Sequence, residues 1–246
     1  MVVGGRASGV ITLLATPDAL EAGGAVPLDA TEVHHLRVRR VADGDIVRLV
    51  SGTGLVAFGP LARSGAEARV EVSRLERAPR PPALTLAVGA GEKDRFAWLV
   101  EKAAELGVTE VFPLETTHSV AVASKLRHGH LESLRRRALE AIKQCGAPWA
   151  PVVHEPLPFT EFARQEPDGH RWLADPAGVP PGSLEPATPV TVVVGPEGGL
   201  TEPERAALLE SGYQPVGLGP NTLRFETAAI AAAVVVNVAR RGGGNG

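Results

Sequence analysis

Residues 190 to 199 run Val-Thr-Val-Val-Val straight into Gly-Pro-Glu-Gly-Gly, a strand-like segment that ends in a loop with almost no side chains. A second loop of the same character, Leu218-Gly219-Pro220-Asn221-Thr222-Leu223-Arg224, is followed by Phe225, Glu226 and Thr227. Glycine permits positive φ and lets a ligand approach the main chain closely, so amide and carbonyl groups can read an adenine or ribose edge. The charged groups that accompany the bare backbone are Glu197, Arg224 and Glu226. A guanidinium among glycines and leucines can grip a carbonyl or a phosphate. It can also stabilise negative charge that builds on a bound base. No general base stands out: Glu197 is a candidate by position, and its other reading is a carboxylate that only holds backbone in the loop. The competing readings are tight turns that hold nothing, and an Arg224 that only neutralises Glu226 or Glu197.

Other chemistries lack their signatures. No G-x-G-x-x-G follows a strand and no G-x-x-x-x-G-K-[ST] occurs, which excludes a dinucleotide-binding turn and a P-loop. There is no G-x-S-x-G for a serine hydrolase. His34 and His35 are adjacent, and His118, His128 and His130 have no cysteine pair or H-E-x-x-H around them. They read as surface or packing histidines, with no metal. Cys145 is the single cysteine; it reads as a small buried residue and leaves no internal disulfide. A ligand held by backbone, with neither a phosphate signature nor a metal, fits S-adenosylmethionine. Its sulfonium makes the methyl group transferable, so the protein's task is to orient the acceptor and control a proton.

The elements that must position these loops alternate. After Pro79-Arg80-Pro81-Pro82, a stiff proline-rich break, the segment LTLAVGA reads as a strand and DRFAWLVEKAAELG as a helix ending on Gly107. EVFPL, RWLAD, VTVVVG and PVGLG read as further strands, with a long helix from about His130 to Gln144 between the first two. Thr201 and Glu204 form a capping box, and Gly212 ends that helix. Ala228 to Ala239 reads as a buried helix, and the terminal RRGGGNG as a frayed tail. Strands apolar on both faces, alternating with helices, predict an α/β fold with a parallel sheet. Ligands would gather at the carboxyl ends of its strands.

Before the break, GDIVRLVSGTGLVAFGPL and AEARVEVSRLE alternate apolar and polar residues between glycine turns, the pattern of short antiparallel strands. One helix interrupts them, with Asp29 and Glu32 spaced as a capping box. Residues 1–78 therefore read as a small strand-rich domain and 79–246 as a second, α/β domain.

Net charge is −3, from 25 Lys and Arg against 28 Asp and Glu, so bulk electrostatics do not announce a polyanion partner. Any nucleic-acid contact must come from clusters such as Arg37, Arg39 and Arg40, or Arg135 to Arg137. No run reaches the roughly 18 apolar residues of a membrane helix. The start is a poor signal peptide, and the lone cysteine suits a reducing compartment, so a cytoplasmic protein is expected.

The motif VVVGPEGGLTEPE, followed by LGPNTLRFETAAIAAA, resembles the SPOUT class of RNA methyltransferases, and most of all the bacterial 16S rRNA (uracil-N3)-methyltransferase family. EVHHLRVRRVADGD, GEKDRFAWLVEKAAELGVTEVFPL and EAIKQCG agree with it, spreading the resemblance from about residue 30 to residue 239. The resemblance implies a C-terminal SPOUT domain with a deep trefoil knot, an N-terminal PUA-like β-barrel that binds RNA, and a homodimer. It implies that the partner is 16S rRNA in the small ribosomal subunit and the cofactor S-adenosylmethionine. Carried onto this chain, Val194, Gly195, Pro196, Glu197, Gly198 and Gly199 would line one side of the cofactor pocket. Leu218, Gly219, Asn221, Leu223 and Arg224 would form the other, with Glu226 and Thr227 matching the family's E-T-A. Arg224 and Glu197 would carry the chemistry, and Arg37, Arg39 and Arg40 would touch RNA. Lys102, Glu105 and Gln144 also match the family pattern. Two other readings stay open: a ribose 2′-O-methyltransferase of the same class, and a non-catalytic RNA-binding assembly factor.

Overall fold

The computed structural model describes residues 10–123 and 129–242, so His128 and the last four residues of the tail lie outside the described chain. Two compact units are present: Met1–Arg80 with Ile142–Trp149, and Pro81–Ala141 with Ala150–Gly246.

The first unit is built on a six-stranded sheet in which β1 (Thr12–Leu14), β3 (Ile46–Val50), β4 (Leu55–Ser64), β5 (Glu67–Glu71) and β2 (Ala25–Pro27) lie in that order. Its sixth strand, β6 (Arg74–Arg77), also pairs with β4. The expected antiparallel pairing holds for β3 to β6 and for β2; β1 departs from it by running parallel to β3. Strand β4 holds the sheet together, since its first half sits between β3 and β6 and its second half pairs with β5. Alternating residues of these strands meet Leu20 of α1 (Pro17–Ala22) and Leu36 of α2 (Ala30–Val38) in one core with Leu13, Leu49, Leu61 and Val70.

The cap of α2 is half of what the spacing predicts. Asp29 Oδ1 accepts from the Glu32 amide at 2.8 Å. Glu32 does not return the bond, because its carboxylate is buried and pairs with Lys143 Nζ at 2.8 Å. A cationic partner outbids a lone backbone amide for a desolvated carboxylate. Cys145, expected inside, is exposed. It is the last residue of α5 (Gly129–Cys145), just before Gly146, whose φ of 74° turns the chain away and whose amide closes the helix on the Ile142 carbonyl at 2.8 Å.

The second unit carries a parallel sheet in the order β10 (Leu157–Pro158), β8 (Glu110–Glu115), β7 (Leu84–Gly89), β12 (Val190–Val194), β11 (His170–Val179), β13 (Gln214–Val216), with β9 (Val152–Val153) also on β8. Every pairing in it is parallel, as the two-sided apolar strands predict. All five residues of β12 are buried. The interleaved helices are α3 (Lys93–Glu105), α4 (Val120–Ala123), α5, α6 (Phe159–Phe162), α7 (Glu202–Glu210) and α8 (Phe225–Gly242).

Helix α8 packs on α3, β7 and β12 through Ala228, Ala229, Ala232, Ala233 and Val236, small residues that let the backbones come close. It is not buried all round, as its composition predicts: Val234 and Val238 are 43% and 62% exposed. Nor does it fray where the tail was expected to begin. Arg240 is buried and donates to the carbonyls of Ala83 at 2.6 Å and Thr188 at 2.7 Å, which extends the helix to Gly242. No described helix is long and apolar enough to cross a membrane.

Candidate active site

The C-terminal end of β12, the middle of β11, the loop after β13 and the start of α8 line one cavity. Strand β12 stops at Val194 and the chain turns through Gly195–Gly199. Gly89, at the end of the neighbouring β7, has no space for a side chain because the Pro196 ring comes within 2.5 Å of where a Cβ would stand. Gly199 takes a φ of 71°, a left-handed conformation that favours glycine, and its amide closes the turn on the Pro196 carbonyl at 2.9 Å. Thr201 then opens α7 through a complete capping box with Glu204. On the other side the chain leaves β13 at Gly217, whose amide donates to Val179 at 3.0 Å, and runs to Arg224, whose carbonyl accepts from Ala228 at 2.8 Å in the first turn of α8.

These loops enclose about 630 Å3. The cavity is lined by Val194, Gly195, Pro196, Glu197 and Gly199 from the first loop, and by Leu218, Gly219, Asn221, Leu223 and Arg224 from the second. The structure therefore brings together most of the residues singled out in the sequence. Three lie off the cavity. Gly198 faces the His118 side chain, whose Cβ lies 3.0 Å and whose ring atoms lie 3.1 Å from where a Gly198 Cβ would be. Glu226 is buried at the start of α8, with Oε2 lacking any hydrogen-bond partner. Thr227 is exposed on the helix surface.

Asp175, Pro176, Arg95, Arg205 and Phe225 also line the cavity and were not anticipated. Asp175 ends the segment RWLAD, so the strand-end rule that drew attention to Gly195 applies equally to it. Asp175 Oδ2 accepts from Arg205 Nε at 2.9 Å, and Oδ1 from the Ala177 amide at 2.8 Å. Burial pushes this carboxyl up, but the Ala177 amide and the Arg205 guanidinium together outweigh it and hold it below the usual carboxylate range. Arg205 is thereby neutralised, and Arg95 reaches Glu92 at 3.6 Å. Arg224 is different. It is exposed, lines the cavity, and its side chain has no hydrogen bond or ion pair among the described residues. The pairing with Glu226 or Glu197 that would have made it a mere counter-ion is not formed. Glu197 Oε1 accepts instead from the Glu92 amide at 3.3 Å.

The remaining family-pattern residues sit elsewhere. Lys102 bridges Glu105 at 2.7 Å and Glu101 at 2.9 Å on the surface of α3, and those carboxylates hold its ammonium above the usual range. Gln144 is exposed near the end of α5. Arg37, Arg39 and Arg40 are exposed at the end of α2, where Arg40 takes a φ of 55°. The described residues hold no cluster of His, Cys, Asp and Glu suited to a metal ion.

The chain that carries this cavity has relatives among known proteins. The RNA methyltransferase domain matches residues 78–237. The chain belongs to this RNA methyltransferase family. It is 30% identical over 225 residues to the ribosomal RNA small subunit methyltransferase E of Synechocystis sp., a match that spans 86% of this chain and 72% of that protein. The protein of the same name from Mycobacterium bovis is 29% identical over 251 residues, covering 93% and 92%. Among solved structures, the ribosomal RNA small subunit methyltransferase E of Neisseria gonorrhoeae, bound to S-adenosyl methionine, matches with a TM-score of 0.81 at 27% identity, covering 93% of this chain and 97% of that one. Within the RNA methyltransferase domain of this chain lie both glycine loops, the cavity and Arg224.

Proposed function

We propose that this chain methylates N3 of a uridine in the 16S rRNA of the small ribosomal subunit, with S-adenosylmethionine as donor. The observation that carries the reading is the cavity itself: two backbone-lined loops and an unpaired Arg224 in a chain of the RNA methyltransferase family. The residues present fit the cofactor. At about 630 Å3 the cavity has the size of a small-molecule site. Gly199 and Gly219 leave open space where side chains would stand.

When bound, the sulfonium cofactor supplies an activated methyl group. The protein's own groups do the rest. Gly195, Gly199, Leu218 and Gly219 hold the nucleoside by main chain, with Val194, Pro196, Asn221 and Leu223 completing the walls. The Arg224 guanidinium grips a uracil carbonyl and stabilises the negative charge that grows on the ring as N3 loses its proton. Glu197, on the same cavity, is the carboxylate placed to accept that proton. Glu226 and Thr227 set the start of α8 and thereby the position of Arg224.

The same reading extends to the rest of the chain. Residues 1–78, with their small curled sheet, serve as a PUA-like RNA-binding domain in which Arg37, Arg39 and Arg40 meet phosphates, and residues 79–246 form the SPOUT methyltransferase domain. On this reading the C-terminal part of that domain forms the deep trefoil knot of the SPOUT class. A homodimer is supported by the apolar side chains left open on two packed helices, Trp98 on α3 and Val234 and Val238 on α8. The site of action would be the cytoplasm, where ribosomal subunits are assembled.

The test is methyl transfer in vitro from labelled S-adenosylmethionine to small subunits lacking the modification, with the product nucleoside identified by mass spectrometry. 3-Methyluridine that disappears with Arg224→Ala supports reaction and residue together. A 2′-O-methyl product would overturn the N3 assignment, and RNA binding without transfer would favour an assembly factor.

A further inference from the structure

We propose that His118 and Glu204 are positioning residues, which hold the Gly195–Gly199 loop in the shape that receives the cofactor while touching neither cofactor nor RNA. The proposal rests on the cofactor reading above. Neither residue lines the cavity. Both act on the loop that does.

Glu204 does more than cap α7. Its Oε2 accepts from the Thr201 amide at 2.8 Å and the Thr201 hydroxyl at 2.9 Å, which completes the capping box. Its Oε1 accepts from the Thr117 amide at 2.8 Å and the Thr117 hydroxyl at 3.0 Å. A capping box alone requires nothing from Thr117, which lies 87 residues earlier in the chain. With four donors on a buried carboxylate, both oxygens are satisfied and the side chain has one position. Glu204 therefore joins the end of the glycine loop to the turn that follows β8.

That turn is rigid in its own right. Ser119 Oγ accepts from the Thr116 amide at 2.9 Å and donates to the Leu114 carbonyl at 3.0 Å, and both Thr116 and Ser119 are buried. On this base stands His118. Its Nδ1 lies 3.0 Å from the Gly199 carbonyl, an oxygen that can only accept, so Nδ1 carries the proton. The imidazole also covers Gly198, so closely that a Cβ there would lie 3.0 to 3.1 Å from ring and Cβ atoms of His118. The loop is thus gripped at two places, by Glu204 through Thr201 and by His118 at Gly198 and Gly199. Backbone that must present its own amides and carbonyls to a ligand has to be pre-organised by something outside it, because every unfixed rotation is a cost at binding.

The experiment uses the full chain and four variants: Glu204→Gln, His118→Ala, Gly198→Ala, and Gly198→Ala combined with His118→Ala. Hydrogen exchange of residues 195–199 is measured in the free protein. Calorimetry with S-adenosylmethionine and a separate titration with small-subunit RNA are run beside it. Glu204→Gln and His118→Ala should speed exchange of the loop and weaken cofactor binding by about tenfold, while RNA affinity stays within about twofold. Gly198→Ala should weaken the cofactor similarly by pushing the imidazole. The double variant should lose less than the sum of the two single losses, because His118→Ala removes the ring atoms 3.1 Å from an added Cβ and leaves only the Cβ of residue 118 at 3.0 Å. Should Glu204→Gln fail to fold, the exposed His118 and the Gly198 pair carry the test. Unchanged exchange in His118→Ala, faster exchange with unchanged cofactor affinity, or a double variant in which the two losses add would each overturn the proposal. A parent protein that shows no heat with S-adenosylmethionine would overturn the cofactor reading and this one with it. That failure differs visibly from a parent that binds alongside variants that bind equally well.

Discussion

The ring of Phe225 fills the space that a side chain on Gly91 would need, and on its other side it stacks on Phe96 with centroids 6.4 Å apart. Phe225 follows Arg224 directly and lines the same cavity, so the turn after β7 sets where the arginine stands. Gly91→Ala should displace the ring. The expected cost is about 1–3 kcal/mol, as for other overpacked sites. Urea denaturation measures it, and titration with S-adenosylmethionine should show weaker binding. Full stability with unchanged affinity would sink the idea that Gly91 seats this wall.

Arg224→Lys tests the geometry of the charge. The side chain is exposed and without protein partners, so stability should change by no more than about 0.5 kcal/mol. Turnover should fall by roughly 10²–10³, the loss seen when a preorganised charge-stabilising donor is removed. A compact ammonium cannot reproduce a planar two-pronged grip. A lysine variant with parental turnover would show that only a positive charge is needed there.

Tyr213 gives a pH prediction. Its hydroxyl is buried with no hydrogen-bond partner, and burial, slightly offset by Arg171, pushes its pKa from 10.0 to about 12. The folded state therefore holds the phenolic proton more tightly than the unfolded chain does. Stability is full below pH 10 and falls as pH rises toward 12. Tyr213→Phe should be more stable at neutral pH by about 1 kcal/mol, since an unpaired buried polar group is removed. Its stability should also decline less across the alkaline range. Melting curves from pH 7 upward check both, and a destabilised phenylalanine variant would contradict the buried, unpaired hydroxyl.

Arg240→Met should loosen the end of α8. The guanidinium donates to Ala83, Thr188 and, at 3.4 Å, Pro82, and burial alone holds its pKa below the usual value. Methionine keeps the apolar stem but leaves those carbonyls without their charged donor, at about 1.5–3 kcal/mol. Faster amide exchange at Ala83, Leu84 and Thr188 would locate the loss. An unaltered pattern would mean that helix packing alone holds the C-terminus.

The repeating parts of the fold were legible because their signals are local. Five buried residues in β12, the capping box of Thr201 and Glu204, and the glycine after α3 each depend on neighbours a few positions away. The buried Phe96, Leu99, Val100 and Ala103 of α3 follow the helical spacing of its apolar residues. What misled was side-chain context set at long range. Glu32 was expected to return a cap bond and instead pairs with Lys143, 111 residues away. Cys145 was expected inside and lies outside, and Arg240 was expected in a frayed tail and is buried. For a charged or small residue, burial depends on which element arrives to cover it, and no local pattern encodes that.

The candidate site divides in the same way. The amino-acid order by itself determined the two glycine loops, the absence of phosphate-binding signatures, and Arg224 as the cation between them, because each is a matter of residue type and spacing. Only the tertiary structure decided that Arg224 is unpaired, that Asp175 and Arg205 neutralise one another on the cavity wall, and that Glu204 and His118 reach across to the first loop. Those facts depend on which strand ends become neighbours. Parallel pairing of β7, β12, β11 and β13 places their carboxyl ends side by side, so residues up to 105 positions apart, such as Glu92 and Glu197, come within one hydrogen bond. A chain can state which groups it carries, but whether a charge is satisfied or left free is settled by what the fold sets against it.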